Sequence, residues 1–323
     1  RQEADMKEIV ILGGARTAIG TFGGALAGTP ATKLGATVAR AALARAGVEG
    51  GQIGHVVFGN VINTEPRDMY LSRVAAMEAG VPDAVPAMNV NRLCGSGVQA
   101  IVSAVQSLML GDADYALAGG AESMSRAPYI IPAARWGQKM GDVAAMDMLL
   151  GTLNCPFGTG HMGITAENVA GEHEVTRAQQ DAFAVLSQER AAAAIAAGHF
   201  AEQIVPVEVR RGRDTVAFDV DEHPKATTLD KLAGLRPVFQ KDGSVTAGNA
   251  SGINDGAAAL VLARASTATS AGLRPLARII GYAHAGVRPE VMGIGPIPAV
   301  TKLFEKTGLT AGDFDVIESN EAF

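Results

Sequence analysis

The sequence predicts an α/β fold made of two repeated α/β halves with an inserted loop domain. Three observations lead there. Strand-like apolar runs alternate with amphipathic helical segments, the alternation is interrupted between 124 and 254, and two distant stretches resemble each other.

The elements follow in order. KEIVILGG (7–14) is a continuous apolar run of strand length, and TKLGATVARAALARAG (32–47) has helical apolar spacing and ends on Gly47. HVVFGN (55–60) is strand-like, MYLSRVAAMEAG (69–80) helical, and AVPAMNV (84–90) again a strand. After a turn come a helix over 98–110 and the strand YALAGG (115–120). This texture predicts a largely parallel sheet.

Between 124 and 254 lie a Pro/Arg/Met-rich loop, a helix starting at Thr176, and polar strands within VEVRRGRDTVAFDVDEHPK. Thr176 and Gln179 have the spacing of a capping box. DGAAALVLAR (255–264) restores the α/β texture. Three parts result: residues 1–123 with 255–275 as an N-terminal α/β half, 124–254 as the inserted domain, and 276–323 as a C-terminal half.

The repeat relates TPATKLGATVARAALARAG (29–47) to IPAVTKLFEKTG (297–308), and KEIVILGG to ARIIGYAH (277–284). The following strands, HVVFGN and DVIESN, end on Asn60 and Asn320. The first copy continues through a helix, a strand, a turn and a helix, so the second is expected to be cut short at Phe323.

Composition narrows the function classes. With 48% hydrophobic residues, 5% aromatics and 39 glycines, the core is built from Ala, Val, Ile and Leu. A net charge of −6 argues against a general nucleic-acid binder, although it leaves a local basic cluster open. Two cysteines form neither a disulfide framework nor a metal pattern, which points to a reducing, cytoplasmic compartment. No charge-free stretch of membrane-spanning length and no secretory leader is read, and RQEAD before Met6 carries no fold signal.

NRLCGSG (91–97) carries the sharpest chemical signal. A strand–turn–helix junction lifts Cys94 out of the sheet, and the helix start favours a thiolate there. A packed cysteine at a glycine-rich turn satisfies the same spacing. SNEAF (319–323) reads as an amide and a carboxylate at a strand end, or as a helix N-cap with an acidic first turn. TAGNASGINDG (246–256) reads as a connection or as a loop closing on a ligand. Cys155, in NCPFG, reads as structural or incidental.

Taken together, NRLCGSG, GGAESMS (119–125), HMGITAEN (161–168), TAGNASGINDGAAA (246–259) and SNEAF resemble the signature segments of the thiolase family, in family order, from Lys7 to Phe323. Bacterial acetyl-CoA acetyltransferases and β-ketothiolases are the most similar branch. The segment HVVFGNVINTEPRDMYLSRVAA (55–76) is similar to enzymes of polyhydroxyalkanoate synthesis.

The resemblance implies a layered αβαβα fold and a reversible Claisen condensation of acetyl-CoA with an acyl-CoA, or thiolytic cleavage of a 3-ketoacyl-CoA. Cys94 would be the nucleophile that becomes an acyl thioester, and Asn320 would hold a water in the oxyanion hole. His161, Met162, Phe239, Ala247, Ser251 and Ala322 match positions lining the pantetheine channel. At the nucleotide end Pro224 stands where relatives often carry an arginine, and the neighbouring Lys225 is the expected substitute. CoA and acyl-CoA are then substrates, with no cofactor and no metal. The partners implied are these small molecules and further copies of the chain in a homotetramer (a dimer of dimers), with 126–142 as an assembly loop; no nucleic acid or membrane partner is expected.

The family's Gly-His-Pro motif and its second catalytic cysteine, in a C-x-G loop, lie beyond NEAF and do not occur in these residues. Two rivals remain. One is a ketoacyl-synthase-type condensing enzyme, whose nucleophile motif usually reads T-A-C-[AS]. The other is a non-catalytic fragment that binds CoA or a partner.

Overall fold

The run IVILGGAR forms strand β1 (Ile9–Arg16), and helix α1 (Ala31–Ala46) follows, closed by Gly47 in the left-handed conformation. In the computed structural model, which describes residues 8–323, the chain then builds β2 (His55–Gly59), α2 (Leu71–Glu78), β3 (Ala87–Val90), α3 (Ser96–Leu110) and β4 (Tyr115–Ser123). The hairpin β5 (Val207–Arg211) and β6 (Asp214–Phe218), the long β7 (Asn254–Arg264) and the short β8 (Ala277–Ile279) complete the strands of this first unit. The unit takes in residues up to Tyr129, Gly198–His223 and Ile253–Ile279.

Its sheet runs β8-β1-β7-β4-β2-β3, with Gly20–Thr21 added against β7. Period-two alternation decides which side chain goes to which face. Val56 and Phe58 join Leu34, Val38 and Leu71 in one core, under α1 and α2. Val57 points the other way and joins Ala104, Val105 and Leu108 under α3. Helices thus cover both faces, as expected of an α/β unit.

The sheet is mixed rather than largely parallel. Within this sheet, β2 pairs in parallel with β3 and β4; β7 is antiparallel to β1 and to β4, and β8 is antiparallel to β1. Helix–strand alternation predicts crossovers only between neighbours in sequence. It carries no signal that β7, which follows β4 after the long excursion, enters between β4 and β1 in the opposite sense.

Residues Leu93–Leu110 do form an 18-residue charge-free window, with mean hydropathy 1.5, which corrects the sequence reading. The helix itself, however, has only 15 residues. At 1.5 Å per residue it reaches about 22 Å, short of the roughly 30 Å of a bilayer core. Its apolar face, with Ala104, Val105 and Leu108, is buried on the sheet.

The second unit comprises Ile130–Ala197, Pro224–Gly252 and Ile280–Phe323. Its main helices are α4 (Met162–Glu172), α5 (Arg177–Ala196) and α6 (Pro296–Thr307). The capping box read at Thr176 and Gln179 is formed: the Gln179 side chain accepts from the Thr176 N–H at 2.8 Å. DVIESN is not a strand, nor does SNEAF begin a helix. Val316 and Ile317 stand 76% and 70% exposed, without a ladder partner among the described residues, and β propensity alone does not hold a strand. The repeat of KEIVILGG is strand only over Ala277–Ile279.

One glycine fixes how α3 meets the sheet. A Cβ on Gly59, at the end of β2, would lie 2.7 Å from the backbone carbonyl carbon of Ser96. Gly59→Ala is therefore expected to lower stability by about 1–3 kcal/mol, because the start of α3 must move. Urea unfolding checks the loss, and a changed Cys94 alkylation rate checks the displacement.

Candidate active site

Cys94 lies in the turn between β3 and α3, and it is solvent-exposed. The turn is stiff. The Arg92 N–H donates to Ser96 Oγ at 2.8 Å, and that hydroxyl donates to the Leu93 carbonyl at 2.6 Å. Leu93 is held at φ 48°, the left-handed region that a bulky residue occupies only under constraint. Gly95 gives α3 no side-chain cap; the Ser96 and Gln99 N–H groups donate to the Leu93 and Gly95 carbonyls, leaving those of Gly97 and Val98 uncapped. The junction sets an exposed thiol at the positive end of a helix, an arrangement chemically suited to nucleophilic attack.

In the second unit, His161 and Phe239 stack with ring centroids 4.6 Å apart, and Phe323 meets Phe239 edge-on at 6.1 Å. His161 is also the N-cap of α4, its Nδ1 accepting from the Gly163 N–H at 3.0 Å. That bond assigns the proton of the neutral ring to Nε2, leaving one N–H donor. Gly163 is required by the close approach, since a Cβ there would lie 2.2 Å from the Phe239 ring.

Burial lowers the pKa of His161 below its ordinary value. Its stabilising effect is therefore complete above the unfolded pKa, near 6.5, and is lost as pH falls through the lower folded value. Protonation also removes the Nδ1 acceptor. Between about pH 7.5 and about pH 5.5 the parent is expected to lose more thermal stability than His161→Asn, which keeps a cap but does not titrate. Parallel melting curves over that range are the check.

A cavity of about 300 Å³ opens in this unit, lined by Val169, Val245, Met292, Asn320, Ala322 and Phe323 among others. Ser251 belongs to the same neighbourhood, its N–H donating to the Ala322 carbonyl at 3.0 Å. Met162 is the half-buried first residue of α4, and Ala247 is exposed on the loop leading to Ser251. Lys225 has an exposed side chain; its backbone N–H donates to Gln188 Oε1 at 2.8 Å. Of the site residues read from the sequence, Cys94 stands in the first unit and all the others in the second.

The two repeat asparagines have diverged. Asn60 is 5% exposed, its Nδ2 donating to the Ala121 carbonyl and to Glu122 Oε1, its Oδ1 accepting from Asn63. Glu122 itself has a pKa raised by burial, opposed by the Ile62 and Val61 amides. Asn320 is exposed at the cavity, and its amide has no hydrogen-bond partner among the described residues. One copy uses the position to hold a turn; in the other, the side-chain amide has no partner among the described residues.

Sequence reasoning passed over Met292 and Phe323, although the aromatic at the end of NEAF was in plain view. It also gave Cys155 no chemistry. The Thr159 hydroxyl and the Phe157 amide lower the Cys155 pKa, a local effect with no motif to announce it.

The family models decide the relationship. Residues 9–266 match the thiolase N-terminal domain, and 273–323 match the thiolase C-terminal domain. The chain belongs to the thiolase family. Among thiolases it is 59% identical to the beta-ketothiolase BktB of Cupriavidus necator, over 98% of this chain and 81% of that one. It is 48% identical to the acetyl-CoA acetyltransferase of Escherichia coli with the same two coverages. The thiolase fold is equally plain in three dimensions. The acetyl-CoA acetyltransferase of Bacillus anthracis superposes with a TM-score of 0.95 at 45% identity, covering 98% of this chain and 81% of that one. Human mitochondrial 3-ketoacyl-CoA thiolase in complex with CoA gives 0.94 at 41% identity, covering 98% and 80%.

Proposed function

We propose that this thiolase transfers acyl groups between CoA thioesters through a Cys94 thioester. The Cys94 thiolate attacks the acyl-CoA carbonyl; the C–S bond to CoA breaks, CoA leaves as its thiolate, which takes up a proton from solvent, and the acyl group stays on Cys94. In condensation the enolate carbon of acetyl-CoA then attacks the acyl-enzyme carbonyl, releasing the Cys94 thiolate and a 3-ketoacyl-CoA. Thiolysis runs the same bonds backward. Sulfur suits both directions, being a strong nucleophile and a good leaving group.

The observation that carries this reading is the placement of an exposed cysteine in a stiff turn at an uncapped helix start. Asn320 is assigned to a water-mediated hydrogen bond to the enolate oxygen, which its unpartnered amide supports. His161, Met162, Phe239, Ala247, Ser251 and Ala322 are assigned to the pantetheine arm, and Lys225 to the nucleotide end as a point charge. CoA enters as substrate, so the chemistry asks for no cofactor. Two free cysteines suit a reducing cytoplasm. The exposed Trp136 and Met140, at 88% and 87%, suit a loop that assembles a homotetramer.

The test is CoA-dependent cleavage of acetoacetyl-CoA, followed by loss of its enolate absorbance. Turnover that requires CoA and is blocked by alkylation of Cys94 is the expected result. Turnover that survives this alkylation overturns the assignment, and a preference for carrier-protein thioesters places the chain with the ketoacyl-synthase type instead.

A further inference from the structure

The loop 244–251 connects the cavity wall at Val245 to Ser251, and two buried carboxylates from different helices hold it. Glu167, on α4, is 6% exposed and has no cation in salt-bridge contact among the described residues. Its Oε1 accepts from the Val245 N–H at 2.7 Å and from the Ser244 N–H at 2.9 Å; its Oε2 accepts from Ser244 Oγ at 2.8 Å. Asp181, on α5, is 4% exposed and accepts from Asn249 Nδ2 at 2.9 Å and from Arg177 Nε at 2.7 Å. Asn249 in turn accepts from the Thr246 N–H at 2.7 Å and donates to the Ser244 carbonyl at 3.0 Å.

Both Glu167 oxygens and Asp181 Oδ1 are aimed at the loop, while Asp181 Oδ2 is held by Arg177 on its own helix. A buried carboxylate is costly unless several donors satisfy it. Here the loop's own amides are those donors, so the loop is bound to α4 and α5 by charge-assisted bonds that are hard to replace. Ser251 follows two residues after Asn249 and donates to Ala322, the neighbour but one of Asn320. Val238, beside Phe239, is joined to the same loop by its N–H on the Val245 carbonyl at 3.0 Å.

From this geometry we infer that Glu167 and Asp181 are positioning residues that hold loop 244–251, and through it Ser251 and Phe239, in the shape that receives the pantetheine arm of CoA. The inference rests on the CoA-binding role given to Ser251 and Phe239 above. It assigns the carboxylates no contact with substrate. Losing the clamp weakens CoA binding because the loop must be ordered anew at each binding event, while the reacting atoms on Cys94 are untouched.

The experiment compares the parent with Glu167→Gln, whose amide N–H₂ faces loop donors and breaks half of the clamp, and with the milder Ser244→Ala, which removes the hydroxyl bond alone. CoA affinity is read by calorimetry, Cys94 alkylation rate by peptide mass spectrometry, and loop order by amide exchange at Val245. The expected result is a CoA Kd raised about tenfold or more in Glu167→Gln and about threefold in Ser244→Ala, with faster Val245 exchange in both and Cys94 alkylation within about twofold. If Glu167→Gln does not fold, Ser244→Ala decides alone. Parental affinity in the folded variants overturns the inference while leaving the functional reading intact. Absence of CoA binding by the parent overturns both.

Discussion

Replacing Cys94 with alanine is expected to lower acyl transfer by about three orders of magnitude or more, with little change in stability. The side chain is exposed and carries no packing that the fold depends on. The turn is held by Ser96, Asn91 and backbone bonds that alanine leaves in place. Surface substitutions of this kind usually change stability by no more than about 0.5 kcal/mol. Chemistry has no such substitute, because without the sulfur no covalent acyl intermediate forms. Turnover assays and denaturant unfolding of the same preparation separate the two effects. A variant that keeps appreciable turnover, or one that loses activity only by unfolding, contradicts the role given to Cys94.

Asn320→Ala is expected to lower kcat about 10²–10³-fold with KM and stability nearly unchanged. Among the described residues its side-chain amide has no partner to lose, so truncation leaves no buried group unsatisfied. The matching change in the first repeat has the opposite signature. Asn60→Ala deprives Glu122 of a donor in a buried setting, and is expected to destabilise the chain by about 1–3 kcal/mol. Measuring kcat and unfolding for both variants makes a crossed comparison. Equal losses of stability at the two positions would remove the argument that the repeat diverged into a structural and a chemical asparagine.

Local features were the legible ones. The strand before Cys94, the helix after it and the glycines between them are adjacent in the chain, so the elbow could be read from seven letters. The Thr176 capping box and the Gly47 helix stop belong to the same class. What stayed hidden depends on distant partners. Nothing in GAAALVLAR says that β7 will lie antiparallel between β1 and β4. Nothing in DVIESN says that Val316 and Ile317 will find no ladder. The His161–Phe239 stack and the Glu167–Ser244 clamp each join residues more than seventy positions apart. Motif resemblance supplied His161 and Phe239 without their geometry, and it supplied Glu167 only as a letter within HMGITAEN.

The central claim is that Cys94 takes the acyl group. Incubating the chain with acetyl-CoA, quenching in acid to preserve thioesters and mapping the peptides by mass spectrometry tests it most directly. Cys155 is the internal rival, because the Thr159 hydroxyl and the Phe157 amide lower its pKa. A single acetyl increment on the peptide that carries Cys94, released by added CoA, is the expected result. An increment confined to the Cys155 peptide, or no CoA-reversible increment at all, would contradict it.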